Sequence, residues 1–501
     1  MAEPDLAEET MSGMQVQGLD GGSDVVGQDA IEGLRGQLGD GLISSDDPPY
    51  EEARHVWNGM IDKRPALIAR CRDTADVQAS VRFARDHRIL LAVRGGGHNV
   101  AGFATCDGGV VIDLREMRDV RVNPEMGTVR VGGGATWADV DRETQAFGLA
   151  VPGGIVSTTG VAGLTLGGGQ GWLRRTHGMA CDSLLSVDVV TAEGELVSAS
   201  EAEHADLFWA LRGGGGNFGV VTSFEFRAHP AGPMIAFVGP AYPLEHAQEV
   251  MAAVRSFAAE APDEVNLSTT WWTIPPIEAF PEHAHGRPVI VVGAVYVGPP
   301  ERGEQLLQPL REIAAPVLDL SGTLPYVALQ QMFDPFFPAH SQRYYWKSLY
   351  LAHLGEDVVR KVRDYVESRP SPMSMAGIWA LGGALGRLDE SATATGSRDA
   401  PFLLEILANW VDPTETEANV QWARDFFGAM EAFGTGKTNL NFPGLGDEPE
   451  FGRAAFGDHW GRLADIKRQY DPNNLFRLNQ NIDPARSAPP ADRSSRHTAG
   501  R

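Results

Sequence analysis

The chain has 501 residues, 43% of them hydrophobic and 22% charged, a composition typical of a globular protein with two or three folding units. Its net charge of −24 argues against nucleic-acid binding, because phosphate groups would be repelled. The sequence contains no apolar run long enough to span a membrane and no N-terminal secretory pattern. We therefore expect a cytoplasmic protein that binds neither membrane nor nucleic acid, and the spacing of its three cysteines indicates no metal site.

Much of the negative charge lies near the N-terminus. Residues 1–52 contain thirteen acidic residues and the single basic residue Arg35, which gives a net charge of −12. The segment is also rich in Gly and Ser, a composition typical of a solvated chain. We predict a disordered acidic leader over residues 1–48, with a partner-binding acidic segment as the alternative.

A glycine turn follows the first predicted strand–helix–strand unit. A helix is predicted over 73–88 and a strand from Leu90 to Arg94, after which the chain reads Gly-Gly-Gly-His-Asn. Because glycine has no Cβ, such a turn brings backbone N–H groups close to an anion. The pattern predicts a phosphate-binding turn with the His98 imidazole at its edge; a glycine-rich surface hairpin is the alternative.

The densest glycine region spans 152–178, after strands predicted at 109–114 and 128–131 and a helix at 135–147. Ser and Thr hydroxyl groups at 157–159 stand beside its glycines, which suits a pyrophosphate against backbone N–H groups. A low-complexity linker is the alternative, but interleaved apolar residues favour a folded segment.

Residues 214–219 match the Gly-x-Gly-x-x-Gly dinucleotide fingerprint in form only. That motif must follow a strand and open a helix, whereas this one follows a predicted helix at 206–211 and opens a strand at 220–226. A hairpin precedes it, with strands at 184–190 and 195–198. We therefore reject a Rossmann nucleotide site here.

The second half has fewer glycines and longer elements. Strands are predicted at 234–242, 265–273, 288–296 and 344–350, and helices at 246–260, 302–314 and 451–470. Aromatic and polar residues alternate in the 344–350 strand, so one face can line a pocket, although such a strand is more often core. A disordered tail is predicted over 486–501.

The glycine turns and the C-terminal segment resemble one family as a set. The matching segments are 94–99, 152–154, 167–173, 182–194, 216–222 and 470–482, and together they bracket about residues 50–485 in family order. They resemble the FAD-linked oxidases of the vanillyl-alcohol oxidase type, in the berberine-bridge-enzyme-like group.

The resemblance implies an α+β fold. A PCMH-type FAD-binding domain of two subdomains is expected over 49–230, and an inserted substrate domain over 231–450 with a mainly antiparallel sheet flanked by helices. A C-terminal segment, 451–485, is expected to return to the FAD domain.

The resemblance also implies FAD as cofactor, linked covalently through His98 to the flavin 8α-methyl group. Amides at Asn479 and Asn481 are expected near the flavin ring. The implied FAD contacts are Arg94, Gly95, Gly96, Gly97, His98, Asn99, Gly102, Pro152, Gly153, Gly154, Ser157, Thr158, Thr159, Gly160, Gly163, Leu164, Gly168, Gly169, Gly171, Trp172, Gly216, Gly219, Val220, Val221, Asn441, Asn479 and Asn481.

Two positions depart from the family pattern around the flavin. Many relatives attach the flavin a second time through a cysteine, where this chain has Val156, so a single attachment is expected. At the position that gates oxygen in the family, a small valine is typical of oxidases. Thr159 is nearly isosteric with valine, which favours an oxidase.

A third departure concerns the catalytic base. The family's tyrosine is replaced by Asn439, and an amide cannot accept a proton as a phenolate does. Either Tyr344 or Lys347, on the sheet that covers the flavin in this family, is then expected to take the proton, or the substrate differs from the family norm.

The resulting hypothesis is an FAD-dependent oxidase that moves a hydride from a small-molecule alcohol, sugar or amine to the flavin and electrons to O2. A dehydrogenase with another acceptor, a nicotinamide-dependent reductase and a non-catalytic flavin-binding protein are the alternatives.

Overall fold

The computed structural model describes residues 13–442, 444–445, 452 and 454–485. Their elements form a mixed four-stranded sheet, a five-stranded antiparallel sheet and a nine-stranded antiparallel sheet, together with two small two-stranded sheets. The predicted α+β class is therefore confirmed. No helix within the described ranges is both long and apolar enough to cross a membrane.

The first unit contains the only parallel strands of the described chain. Its elements are β1 (Gly13–Gln17), β2 (Ser23–Gly27), α1 (Gln28–Leu38), β3 (Leu42–Ser44), α2 (Tyr50–Arg54), β4 (Leu67–Arg70), α3 (Thr74–Asp86), β5 (Leu91–Arg94) and β6 (Val110–Asp113). The sheet order is β3-β4-β6-β5, with β4 and β5 both parallel to β6. Because β5 ends at Arg94, the 95–97 glycine turn lies at the carboxyl edge of these parallel strands.

The prediction of a disordered leader is wrong for residues 13–48. They form β1, β2, α1 and β3, and β3 pairs with β4 in the first sheet. Ile31, Leu34 and Leu38 are buried in the core of this unit. Their spacing of three and four places them on one face of α1, so a few apolar residues suffice despite the acidic composition. Residues 1–12 and the predicted tail 486–501 lie outside the described part of the chain.

The second unit is a five-stranded antiparallel sheet in the order β11-β10-β12-β8-β7. Its elements are β7 (Val120–Asn123), β8 (Thr128–Gly132), α4 (Trp137–Gln145), β9 (Leu149–Ala150), α5 (Val161–Leu166), α6 (Arg174–His177), β10 (Leu184–Val190), β11 (Leu196–Ser200), α7 (Ala205–Leu211), β12 (Val220–Arg227) and β13 (His229–Pro230). As predicted, residues 214–219 lead from a helix into a strand, so the Rossmann assignment is correctly rejected.

The third unit holds the large sheet, with the order β18-β15-β17-β16-β21-β22-β20; in addition, β14 pairs with β17, and β19 pairs with β14. Its elements are β14 (Met234–Val238), β15 (Pro240–Pro243), α8 (Ala247–Glu260), β16 (Val265–Thr273), β17 (Pro288–Tyr296), α9 (Pro300–Leu307), β18 (Leu318–Asp319), β19 (Gly322–Pro325), α10 (Tyr326–Gln331), β20 (Arg343–Leu351), α11 (Glu356–Glu367), β21 (Met375–Ala380), α12 (Ala384–Arg387), β22 (Phe402–Trp410) and α13 (Thr416–Met430). Helices α8, α11 and α13 pack on one face of this sheet. The opposite face turns toward the first two units.

Two elements of this unit differ from prediction. The strand expected over 234–242 is two strands, β14 and β15. Both pair with β17, and Gly239 separates them. The helix expected over 302–314 is α9 followed by a single 3-10 turn, Gln308–Arg311, which contains the helix-breaking Pro309.

The C-terminal segment returns to the second unit through helix α14 (Trp460–Tyr470). Lys467, fully buried, pairs with Asp471 at 2.7 Å and donates to the carbonyl oxygens of Asn217 and Phe476. The helix predicted over 451–470 is interrupted by a 3-10 turn at Gly457–His459, and the described residues before that turn, 452 and 454–456, are also helical. The domain boundaries at residues 230 and 450 stay predictions.

Candidate active site

A cavity of about 280 Å³ lies between the two glycine-rich units and the large sheet. Residues of the 95–99 turn and of the segments 154–167, 215–221 and 478–480 form one side of it, and β20, β21 and β22 contribute to the other. The implied FAD contacts that line it are Gly95, Gly96, Gly97, His98, Asn99, Gly154, Thr159, Gly160, Gly163, Leu164, Gly216, Gly219, Val220, Val221, Asn441 and Asn479. Turns 65 to 120 residues apart therefore meet at one site.

Two of the glycine turns touch each other backbone to backbone. A Cβ atom on Gly96 would lie 2.4 Å from the nitrogen of Gly160, and one on Gly160 would lie 2.3 Å from the nitrogen of Gly96. Gly97 has a φ of +73°, a backbone conformation that glycine adopts without strain. These glycines are required for close approach of the two turns, and their backbone forms the cavity wall.

The 154–157 loop is held in place from the third unit. Asp334 accepts hydrogen bonds from the backbone nitrogen of Ser157 at 2.8 Å and from its hydroxyl at 2.5 Å. The Gln330 amide donates to the carbonyl oxygen of Gly154 at 3.0 Å and to Asp141 at 3.2 Å. These contacts fix the loop, and through it the cavity wall, to the third unit.

His98 sits at the wall of this cavity between two threonines and an indole. The Oγ1 atoms of Thr158 and Thr159 lie 3.1 Å from its Nε2 and 3.4 Å from its Nδ1. Trp57 stacks on the imidazole, with ring centroids 4.8 Å apart. Burial lowers the pKa of His98 to about 3, so the ring is neutral at pH 7 and one nitrogen keeps its lone pair.

Several implied FAD contacts lie outside the described lining of this cavity. They are Arg94, Gly102, Pro152, Gly153, Ser157, Thr158, Gly168, Gly169, Gly171, Trp172 and Asn481. Arg94 is fully buried and donates to the carbonyl oxygens of Ala53, Arg54 and Ala104, so its guanidinium supports the turn rather than facing the cavity. Gly171 packs on the carbonyl oxygen of Gly153, so a residue with a Cβ atom would not fit at this position. This packing accounts for the glycine, and no contact with a ligand is needed to explain it.

The amides from the C-terminal part have mixed roles. Asn441 accepts a hydrogen bond from the backbone of Gly169 and donates to the carbonyl oxygen of Leu164 at 3.2 Å, so it ties its own segment to the glycine region. Asn479 donates to the carbonyl oxygen of Gly216 at 3.0 Å. Its Oδ1 and the Oε1 of Gln170 are buried and have no partner among the described residues.

These features fit FAD. The glycine backbone gives N–H groups to a pyrophosphate, a Cβ on Gly163 or Gly216 would enter open space, and the unpartnered Oδ1 of Asn479 accepts an N–H group of a ligand. The residues present therefore match a cofactor with both a pyrophosphate and a polar ring edge.

The opposite wall is formed by side chains of the large sheet. Trp346 on β20, Trp379 on β21 and Glu405 on β22 all line the cavity. Glu405 lies opposite Gly377, whose Cβ would come within 2.9 Å of the carboxyl oxygen, so this glycine makes room for the acid. Burial raises the pKa of Glu405 to about 7, against the opposing effects of a hydrogen bond from the Trp379 indole and the charge of Arg174.

The predicted catalytic residues do not lie in this cavity. Tyr344 stacks on Trp57 at 3.8 Å and donates to the carbonyl oxygen of Pro338, and burial raises its pKa. Lys347 lies on the face of β20 opposite to Tyr344 and Trp346, over the Phe427 ring of α13. Residues an odd number apart in a strand point to opposite faces. Asn439 accepts a hydrogen bond from the backbone of Asn441 and lines a separate, much smaller cavity.

The sequence did not point to several side chains of the cavity lining. They are Trp57 from the first unit, Gln170 from the second, Phe337, Trp346, Trp379, Glu405 and Leu407 from the third, and Phe442 after α13. One signal was present for Glu405, which is the single charged residue in the apolar strand Phe402–Trp410. A lone acid in a buried strand indicates a functional carboxyl, because an unpaired buried charge is costly.

Family models match two parts of the chain. Residues 65–200 match the family described as an FAD binding domain, and residues 439–483 match the one described as berberine and berberine like. The two matches cover the 95–99 and 154–167 parts of the glycine-rich wall and the C-terminal amides of the cavity.

Known proteins match most of the chain. It is 32% identical to an uncharacterized FAD-linked oxidoreductase, YgaK, of Bacillus subtilis, over 89% of this chain and 97% of that protein. It is 31% identical to (R)-6-hydroxynicotine oxidase of Paenarthrobacter nicotinovorans, over 88% and 96% of the two chains. The crystal structure of 6-hydroxy-D-nicotine oxidase from Arthrobacter nicotinovorans superposes with a TM-score of 0.79 at 29% identity, covering 88% of this chain and 97% of that one.

Proposed function

This chain belongs to the FAD-linked oxidoreductases of the berberine-bridge-enzyme-like group, and we propose that it is an oxidase with FAD held covalently by His98. Its donor is a small molecule with a hydroxyl or amine group, and O2 is the acceptor. One observation carries the proposal: His98 and Glu405 line the same cavity from opposite walls. When bound, FAD supplies the two-electron acceptor that neither wall provides.

His98 is the attachment residue in this proposal. Its neutral ring offers a lone pair for a covalent bond. The hydroxyl of Thr158 contacts Nε2 and that of Thr159 contacts Nδ1, so each ring nitrogen has one threonine beside it. Val156, which also lines the cavity, carries no thiol, so the proposal has a single attachment. The attached ring stays stacked on Trp57.

Glu405 takes the place that the sequence assigned to Tyr344 or Lys347. A carboxyl group with a pKa of about 7 is partly ionised at neutral pH, so one of its oxygens accepts the proton that a hydroxyl or ammonium group loses. The Trp379 indole stands beside the carboxyl group and opposes the rise in its pKa. We therefore assign proton transfer to Glu405 and ring support to Tyr344.

The test begins with the visible spectrum of the purified protein and its precipitation with acid. Wild type is expected to keep yellow flavin in the pellet, and His98→Ala to release it. His283→Ala, an exposed histidine, serves as the matched control and keeps the flavin. A panel of alcohols, sugars and amines then identifies the donor, with peroxide release as the readout.

Other outcomes separate the alternatives. Turnover with a dye acceptor but without peroxide indicates a dehydrogenase, and flavin bleaching by NADPH indicates a reductase. Bound flavin without turnover on any donor favours a non-catalytic flavin protein. Flavin retention that does not depend on His98 contradicts the proposed attachment.

A further inference from the structure

We propose that the donor is a protonated amine attached to a flat apolar group, bound with its ammonium at Glu405 and its ring against Trp346. The inference rests on the proposed function and names the substrate class of that same cavity. It follows from the chemistry of the sheet wall, which offers one carboxyl group, acceptor atoms and aromatic faces.

The carboxyl group supplies the charge. Among the described lining residues, Glu405 carries the single acidic group, and Lys and Arg are absent from that lining. Glu405 forms no ion pair within 4.0 Å in the described chain, although buried carboxylates are normally paired. A cation that enters the cavity is therefore the partner that this wall lacks.

Arg174 does not fill that role. Its guanidinium donates to the carbonyl oxygens of Gly171, Leu267 and Ala380 and lies over the Trp379 ring, 4.4 Å from the centroid. The indole thus stands next to both the arginine and the acid. Arg174 acts on Glu405 only through its field, which leaves the carboxyl oxygens open to a ligand.

The aromatic residues offer faces rather than hydrogen-bond donors. Trp346 donates its indole N–H to Asn409 at 2.8 Å, and Trp57 donates to the carbonyl oxygen of Phe337 at 2.9 Å. The Trp379 ring lies beside Glu405 and under the guanidinium of Arg174. A sugar needs donors and acceptors for each hydroxyl, whereas these rings suit an apolar group and an adjacent cation.

The remaining polar atom near the sheet wall, Oε1 of Gln170, is also a hydrogen-bond acceptor. Gln170 uses its amide nitrogen on the Tyr350 hydroxyl, and its Oε1 has no partner among the described residues. Two acceptors, Glu405 and Gln170, favour a cationic ligand, which needs no hydrogen-bond donor from this wall. Trp346 and Glu405 stand on neighbouring strands with side chains on the same face, so one small molecule reaches both.

The experiment measures binding to the anaerobic holoenzyme by titration calorimetry. The probes are benzyltrimethylammonium, which is a permanent cation, the neutral benzyl methyl ether, and the sugar cellobiose. We expect the ammonium to bind at least tenfold more tightly than the ether, and Glu405→Gln to weaken it roughly 10- to 100-fold. Glu278→Gln, an exposed glutamate with the same loss of charge, is the control and leaves the affinity unchanged.

A proton count gives a second readout. Since the pKa of Glu405 is raised to about 7, binding of the cation at pH 7 is expected to release about half a proton, seen in buffers of different ionisation enthalpy. The facing groups do not titrate there: His98 is neutral, burial raises the pKa of Tyr350, and Arg174 stays charged because its pKa is about 9. Glu405→Gln abolishes this release.

The aromatic part of the proposal has its own variant. Trp346→Leu keeps an apolar wall but removes the π face, so we expect benzyltrimethylammonium to weaken about 3- to 30-fold while tetramethylammonium changes less. Equal binding of the ether and the ammonium, tighter binding of cellobiose, or no binding of any probe overturns the proposal. If flavin stays attached and peroxide forms from another donor, the substrate class fails while the proposed oxidase stands.

Discussion

The two walls of the cavity are built from different parts of the polypeptide. On the glycine-rich wall, Gly96 and Gly160 bring two turns into direct backbone contact, so that backbone forms the surface. On the sheet wall, Trp346, Trp379 and Glu405 present side chains from three adjacent strands. The shape of the first wall therefore depends on the absence of side chains, whereas the chemistry of the second depends on their identity.

The largest expected effect is on the glycine-rich wall. Gly96→Ala places a Cβ against the Gly160 backbone, so the two turns must separate and we expect loss of bound flavin and destabilisation by about 2–3 kcal/mol. Gly428→Ala, in α13 with open space around it, is the control. Flavin absorbance and thermal unfolding check both, and normal flavin content in Gly96→Ala would contradict the backbone origin of this wall.

The next effect is on the sheet wall. Glu405→Gln keeps the shape of the side chain but cannot accept a proton, so kcat/KM is expected to fall roughly 10²- to 10⁴-fold with flavin content unchanged. In wild type, kcat/KM rises with pH through about 7 as the carboxyl group ionises, and this step disappears in the variant. Steady-state rates between pH 5 and 9 measure it. An unchanged profile removes Glu405 from proton transfer.

A third prediction concerns the contact that joins the walls. Burial raises the pKa of Asp141 to about 7, well above its unfolded value, so its stabilising contribution is complete below pH about 4 and is lost as pH rises through 7. Asp141→Asn is therefore expected to gain about 1–3 kcal/mol of stability relative to wild type at pH 8. Thermal unfolding between pH 5 and 8 measures it, with the exposed Asp119→Asn as control. A constant difference across that range contradicts the assignment.

The smallest effect tests the folded N-terminal segment. Gly36 lies on the exposed side of α1 with open space around it, so Gly36→Ala is expected to stabilise the protein by about 0.5–1 kcal/mol. Gly21→Ala also has open space, but its φ of +87° makes the same substitution destabilising. Equilibrium unfolding compares them, and no change in either variant would mean that residues 13–48 are not folded.

Sequence reasoning succeeded where a function depends on a local pattern. The glycine turn at 95–97 and the imidazole after it are readable because both belong to one short segment. It failed for residues 13–48, where acidic composition outweighed the regular spacing of a few apolar residues. Composition averages over a segment, whereas a helix needs only one apolar face.

The sequence by itself determined the glycine turns, the place of His98 beside one of them, the absence of a thiol at Val156 and the family resemblance, since each is a property of consecutive residues. Only the tertiary structure decided the composition of the sheet wall. Lys347 lies on the face of β20 that turns away from the cavity. The pairing of β22 with β20 and β21 brings Glu405 beside Trp346 and Trp379. Strand order and register are set by contacts between distant segments, so no local pattern reveals them.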